Sequence, residues 1–232
     1  MACEVIAHRG AAAVAPENTL AALRAARAAG VRRAEVDVQR TSDGVLVLVH
    51  DATWRRTGGL DRPVAKTPWS AIEALDVGSW FAPQFAGERP PTLARILSAT
   101  DLEFDLEIKS PEEHPGLARD VVDVVREQGA ERRVVFTCFD RTVVESLAAI
   151  RDLEVGYLSE SPVQAPHPAV RTCALHHEVV TRESAYVRRL VADGVRVWVW
   201  TVDDPALAQS MQAAGCHGVI TNHPERLLAA LR

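Results

Sequence analysis

The strongest constraint on what this chain can fold into is a rhythm. Short runs rich in Val, Ile, Leu and Phe alternate with Ala-, Leu- and Arg-rich stretches of helical length, the pattern of βα units around a parallel sheet. Strands are predicted at residues 5–8, 34–39, 102–109, 134–139, 154–159, 174–179, 195–202 and 218–222. Helices are predicted at 19–29, 93–99, 117–128, 142–150, 183–192, 206–214 and 225–231, with a further, proline-interrupted one at 162–171. Eight repeats predict an α/β fold closed as a (β/α)₈ TIM barrel. No G-x-G-x-x-G follows a strand, so an open dinucleotide-binding sheet lacks its fingerprint. The 232 residues fit one domain, residues 1–232, since such barrels run about 200–250 residues.

One interval breaks the rhythm. Roughly fifty residues separate the second strand from its helix, and a structureless loop of that length is uncommon in a compact domain. Thr41-Ser42-Asp43-Gly44 has Asp-Gly turn chemistry and predicts a hairpin into residues 45–49. Antiparallel pairing about that turn sets Arg40 opposite Val45, Gln39 opposite Leu46 and, further down, Glu35 opposite His50. The remainder, residues 52–91, holds five of the thirteen prolines together with Trp54, Trp69, Trp80, Phe81 and Phe85. It predicts a small cap inserted after the second strand, over the barrel mouth.

Charge and composition exclude several functions. With 26 Lys and Arg against 31 Asp and Glu, the net charge is -5, which argues against nucleic acid as a partner. No apolar run approaches the roughly 20 residues of a membrane span, so no integral membrane segment is expected. Glu4 arrives early and a polar motif starts at His8, which argues against a secretory leader. Cys3, Cys138, Cys173 and Cys216 form no C-x-x-C, so reduced, buried thiols in a cytoplasmic protein are expected.

In a barrel of this kind the chemistry collects at the C-terminal ends of the strands. Alternation puts Glu35 and Asp37 on one face of the second strand, and Glu107 and Lys109 on one face of the third. Carboxylates pointing into a barrel repel one another and resist desolvation unless a cation joins them. Two readings stand side by side: a hard divalent ion, Mg²⁺ or Ca²⁺, or an ion pair in which Lys109 meets Glu107 or Asp37. His8 ends the first strand, and the hairpin carries His50 back beside the acids. Such a pair can deprotonate a nucleophile and protonate a leaving group. Arg9 offers a fork for phosphate oxygens and Lys109 a point charge. Together these groups suit phosphoryl transfer.

The ordered set of motifs resembles the glycerophosphodiester phosphodiesterase family. The matching stretches are Ala7-His8-Arg9-Gly10, Pro16-Glu17-Asn18-Thr19, Glu35-Val36-Asp37-Val38, Thr41-Ser42-Asp43-Gly44 and Val49-His50-Asp51. They continue through Thr57-Gly58, Gly78-Ser79-Trp80-Phe81, Pro91-Thr92-Leu93, Leu106-Glu107-Ile108-Lys109, Phe139-Asp140, Trp200-Thr201-Val202 and Gly218-Val219-Ile220-Thr221-Asn222. The resemblance implies a TIM barrel with an insertion after the second strand. It implies a divalent metal held by Glu35, Asp37 and Glu107, with His8 and His50 as general acid and base. Arg9 and Lys109 would contact phosphate, and Trp200 and Phe139 would line the substrate pocket. The implied reaction turns a small-molecule glycerophosphodiester and water into an alcohol and sn-glycerol 3-phosphate. The chain departs from the family at Ala94-Arg95, where an acid is usual, at Cys138, where Ser is usual, and at Asn222, where Asp is usual. Within Pro16 to Thr19, Asn18 is read as the N-cap of the first helix.

Two other readings compete. One is phospholipase D-like head-group cleavage by intramolecular transfer, giving a cyclic phosphate; the lack of an exposed apolar membrane element argues against it. The other is a catalytically silent barrel that binds phosphate compounds, which would need neither histidine.

Overall fold

The computed structural model describes residues 3–109 and 111–231. The chain runs β1 (Glu4–His8), α1 (Leu20–Ala29), β2 (Arg33–Arg40), β3 (Leu46–Leu48), β4 (Thr53–Trp54), α2 (Arg55–Gly58) and β5 (Leu60–Pro63). It continues through α3 (Leu93–Ala99), β6 (Glu103–Ile108), α4 (Leu117–Glu127), β7 (Val134–Cys138), α5 (Arg141–Ala148), β8 (Glu154–Ser159) and β9 (Thr172–His176). The last elements are α6 (His177–Arg182), α7 (Ser184–Ala192), β10 (Arg196–Trp200), α8 (Pro205–Ala213), β11 (Gly218–Thr221) and α9 (Pro224–Ala230). Eight parallel strands pair in the order β1-β11-β10-β9-β8-β7-β6-β2, and β2 pairs again with β1, closing the barrel.

Alternation along each strand decides what lies inside and outside. Val36, Val38, Leu106 and Ile108 face outward into the apolar layer between strands and helices. The inward residues form a small apolar plug of Ile6, Val135, Leu158, Ala174, Trp198 and Ile220. Beneath it, the guanidinium groups of Arg33 and Arg196 lie 5.1 and 5.0 Å from the Trp198 ring, and Arg33 is paired with Glu4 and Glu103. The floor is therefore sealed by stacked and paired cations, and the open end is left for polar chemistry.

Four sequence expectations need correction. The hairpin pairs Val38 with Leu48, Gln39 with Val47 and Arg40 with Leu46, one residue off the expected register. The Thr41 N–H donates to the Val45 carbonyl, and Gly44 takes φ 93°. The connection is thus a three-residue loop ending in a left-handed residue, not a symmetric turn on four. The strand expected at 174–179 begins earlier, at Thr172, and stops at His176, where the His176 ring accepts the Glu178 N–H and starts α6. β-branched Val179 and Val180 read as strand but serve as the buried side of that helix. No helix forms at 162–171; instead the Arg141 side chain holds the Gln164 and Ala165 carbonyls of an irregular loop. Finally, Thr19, not Asn18, caps α1, its hydroxyl accepting the Ala22 N–H at 3.2 Å.

Residues 52–91 hold β4, α2, β5 and three single turns of 3₁₀ helix. They have an apolar cluster of their own, Trp54, Val64, Ile72 and Val77, into which Val47 and Val49 of the hairpin region pack. The hairpin therefore joins the inserted residues to the barrel rim. No helix among the described residues is long and apolar enough to cross a membrane.

Candidate active site

At the C-terminal end of the barrel lies a cavity of about 270 Å³. His8, Arg9, Glu35, His50, Glu107 and Lys109 line one side, and Phe139, Leu158, Glu160 and Trp200 the other. Every residue singled out in the sequence reaches this cavity except Asp37, which is fully buried just behind the acids. Adjacent strands explain the convergence: His8 pairs in register with Glu35, and Asp37 with Glu107.

Glu35, Asp37 and Glu107 each bring an oxygen within 4.8 Å of the others. Burial and the neighbouring Asp37 and Glu107 carboxylates push Glu35 well above the usual carboxylate range. Glu107 is pushed up to about 7, first by burial and then by Asp37. Asp37 goes the other way: burial raises it, but the Arg9 guanidinium and Lys109 ammonium outweigh that and hold it low. Glu35 Oε1 and Asp37 Oδ1 are buried with no hydrogen-bond partner. Unpaired buried carboxylate oxygens facing one another are costly, and a hard cation ligated by oxygens removes that cost. The donor set therefore fits a divalent ion. The ion-pair reading also has its contact, since Lys109 Nζ donates to Glu107 Oε1 at 2.8 Å and lies 3.6 Å from Asp37 Oδ1.

Arg9 is aimed by its backbone. Arg9 and Gly10 take φ of 53° and 82° in succession, turning the chain at the end of β1. A Cβ at Gly10 would lie 2.7 Å from the Ala22 backbone, so the turn requires glycine. The turn directs the Arg9 N–H to Glu35 Oε2 at 2.9 Å, and the guanidinium to Glu17 Oε1 at 2.8 Å. Its Nε lies 3.3 Å from Asp37 Oδ2 but is not aligned to donate.

The two histidines are each gripped through Nδ1. Asn222 Nδ2 donates to Asp203 Oδ2 at 2.8 Å, so its Oδ1 faces His8 Nδ1, also at 2.8 Å. An amide oxygen only accepts, so His8 carries its proton on Nδ1 and presents a bare Nε2, 3.9 Å from Glu35 Oε2. Burial and then the Arg9 charge lower the His8 pKa. His50 Nδ1 lies 2.9 Å from Asp51 Oδ1. Asp51 is held by Arg56 of α2, which also takes both oxygens of Glu17 at 2.6 and 2.9 Å.

Several residues of this arrangement escaped the sequence reading. Asn18 was assigned to a helix cap, yet its Nδ2 donates to Asp37 Oδ2 at 2.8 Å and its Oδ1 accepts the Asp37 N–H. Glu17, Asp51, Arg56 and Asp203 were not singled out as site residues. Their signal was adjacency to the motifs: Glu17 and Asn18 sit in one, and Asp51 follows His50. Asn222, noted only as a departure, is the partner of His8. Cys138, another departure, is buried, and its Sγ lies 3.2 Å from the Ile108 carbonyl, away from the cavity. Asp105 is fully buried one layer below Glu107, accepts the Thr137 hydroxyl at 2.6 Å, and is raised by burial to about 6.

Across the cavity, the Phe139 and Trp200 rings meet edge to face with centroids 5.7 Å apart. The Trp200 indole N–H donates to the Ala174 carbonyl at 3.0 Å, which fixes the ring.

Comparison with known proteins gives the family of the chain. A glycerophosphodiester phosphodiesterase of Caldanaerobacter subterraneus is 34% identical over 98% of this chain and 97% of its own length. Among solved structures, an Oleispira antarctica phosphodiesterase in complex with the product sn-glycerol-3-phosphate superposes with a TM-score of 0.89 at 28% identity, covering 99% of this chain and 96% of that one. A glycerophosphodiester phosphodiesterase of Agrobacterium tumefaciens gives a TM-score of 0.83 at 25% identity, covering 98% and 99% of the two chains. The model of the glycerophosphoryl diester phosphodiesterase family matches residues 8–226, from the first histidine to the last helix. Matched by the family model over residues 8–226 and along nearly its whole length by a 34% identical relative, the chain belongs to the glycerophosphoryl diester phosphodiesterase family.

Proposed function

We propose that this cavity hydrolyses glycerophosphodiesters to an alcohol and sn-glycerol 3-phosphate, using one divalent cation, Mg²⁺ or Ca²⁺, held by Glu35, Asp37 and Glu107. The observation that carries the reading is the trio of acids, two of whose buried oxygens accept no hydrogen bond, beside two oriented histidines. When bound by Glu35, Asp37 and Glu107, such a cation would polarise the phosphoryl oxygens and offset the charge that grows on them. The chain's own residues do the rest. Arg9 and Lys109 hold the non-bridging phosphate oxygens, which frees Lys109 from Glu107. The bare Nε2 of His8 accepts a proton from the attacking water as its oxygen bonds to phosphorus and the P–O bond to the alcohol breaks, and Asn222 holds the Nδ1–H of the ring before and after that transfer. His50, whose charge when protonated is balanced by Asp51, donates to the leaving alkoxide. Phe139 and Trp200 form an aromatic wall of the cavity.

The test is chelation followed by addition of single metals. Glycerol 3-phosphate release is expected to vanish with chelator and to return with Mg²⁺ or Ca²⁺. Hydrolysis that persists after chelation would overturn the metal's role. Phosphorus NMR of the first product separates direct hydrolysis, seen as a monoester, from attack by the substrate's own hydroxyl, seen as a cyclic phosphate. Binding without turnover under every metal would favour a silent barrel. We further propose that residues 1–232 act as one domain with 52–91 as its cap. Four free, buried cysteines support a cytoplasmic setting, where thiols stay reduced.

A further inference from the structure

The wall facing the acids holds a charge that phosphate binding does not call for. Glu160 follows the last residue of β8, is exposed, and lines the same cavity as Arg9 and Lys109. Among the described residues no Lys, Arg or His nitrogen lies within 4.0 Å of its carboxylate. A phosphodiester carries one negative charge, so a carboxylate in the same small cavity repels it unless a positive group comes between them. Glu160 shares its side of the cavity with Phe139, which is 49% exposed, and with the fixed Trp200 ring. Aromatic faces beside a carboxylate are the chemistry that receives alkylammonium groups, the rings through their quadrupoles and the acid through its charge. Leu158 and Ile220 add apolar surface for the methylenes of such a group.

We infer that Glu160, Phe139 and Trp200 form a subsite for a cationic head group, so that the preferred substrates are zwitterionic diesters of choline or ethanolamine. This rests on the hydrolytic reading above. The polarity of the cavity follows the polarity of the ligand: Arg9 and Lys109 meet the phosphate, and Glu160 and the two rings meet the ammonium. Neutral polyol head groups, such as glycerol or inositol, leave Glu160 unneutralised and give nothing to the rings.

The test is a panel of glycerophosphocholine, glycerophosphoethanolamine, glycerophosphoglycerol and glycerophosphoinositol. The wild-type ratio of kcat/KM for the cationic over the neutral diesters is expected to be about tenfold or more, the product of an exposed charge pair and a cation–π contact worth roughly threefold to fivefold each. Glu160→Gln should bring that ratio towards one, and Glu160→Lys should invert it. A ratio near one in the wild type, or one unmoved by both substitutions, overturns the subsite. Titration of Trp fluorescence with choline alone gives a readout independent of turnover. Quenching that weakens in Glu160→Gln supports the subsite even if no diester is hydrolysed, an outcome that would sink the hydrolytic reading instead. Absence of any choline effect on the wild-type protein counts against the subsite.

Discussion

His8 and His50 face one cavity from two different kinds of support. His8 ends β1, with a paired strand on each side; its partner Asn222 follows the neighbouring strand β11, and Asp203, which holds Asn222, follows the next strand, β10. His50 lies two residues beyond the short strand β3, and its grip passes through Asp51 to Arg56 of the inserted segment, then to Glu17 before α1. The barrel thus places one ring and the insertion places the other. The partners differ in kind as well: a neutral amide stands behind His8 and a carboxylate behind His50. The opposite roles proposed for the two rings, base for His8 and acid for His50, rest on what stands at Nδ1.

The comparison can be broken most directly by removing either ring. His8→Ala and His50→Ala are each expected to lower kcat at least about 10²-fold, the lower bound for loss of an acid or base. Steady-state kinetics with saturating metal decides it, and wild-type turnover in either variant removes that histidine from the pair. Next in size is the support of His50. Arg56→Ala should cost about tenfold to a hundredfold, mainly in kcat, with the melting temperature moving little because the residue is partly exposed. Arg56→Lys should recover only part of this, since one ammonium cannot take both Glu17 and Asp51 as the planar fork does. A loss confined to KM would mean that Arg56 binds substrate and does not position His50.

Making the two supports alike gives a smaller effect with a definite sign. Asn222→Asp puts a carboxylate behind His8 and favours its protonated form, opposing the lowering that burial and Arg9 now impose. The acid-side limb of the kcat/KM profile should therefore move to higher pH, while the plateau stays within about tenfold. A limb that stays put, or moves to lower pH, would show that another group sets it. The smallest effect lies at the edge of the insertion, where the Arg56 guanidinium sits 5.6 Å from the Trp80 ring. Trp80→Ala removes one exposed cation–π contact and should reduce kcat about twofold to fivefold. A larger loss would give Trp80 a contact with substrate.

The same division governs how much could be read from the sequence. The eight barrel strands were legible as short apolar runs alternating with helical stretches, and alternation at a period of two put the acids of β2 and β6 on their inward faces. His8 and Glu107 followed from that. The support of His50 was not legible. Arg56 meets Glu17 across thirty-nine positions through an irregular segment with no periodicity to extrapolate. Asn18 misled for a related reason: one residue type suits both a helix cap and a buried amide, and only the position of Asp37 in space decides between them. The hairpin register slipped because the turn sequence permits both a symmetric turn and a three-residue loop, and the choice depends on Gly44 adopting the left-handed conformation.

The contact between Lys109 and Glu107 has a consequence for how such a molecule is made. The barrel carries an internal counter-ion of its own, so Glu107 and Asp37 have a cation beside them as soon as the chain closes. Folding need not wait for an ion, unlike small metal domains whose core is the metal itself. Loading of the proposed cation would then be a late step, carried out on a finished scaffold and reversible without dismantling it. On the proposed metal dependence, enzyme treated with chelator should accordingly survive storage as a folded reserve, to be switched on by Mg²⁺ or Ca²⁺.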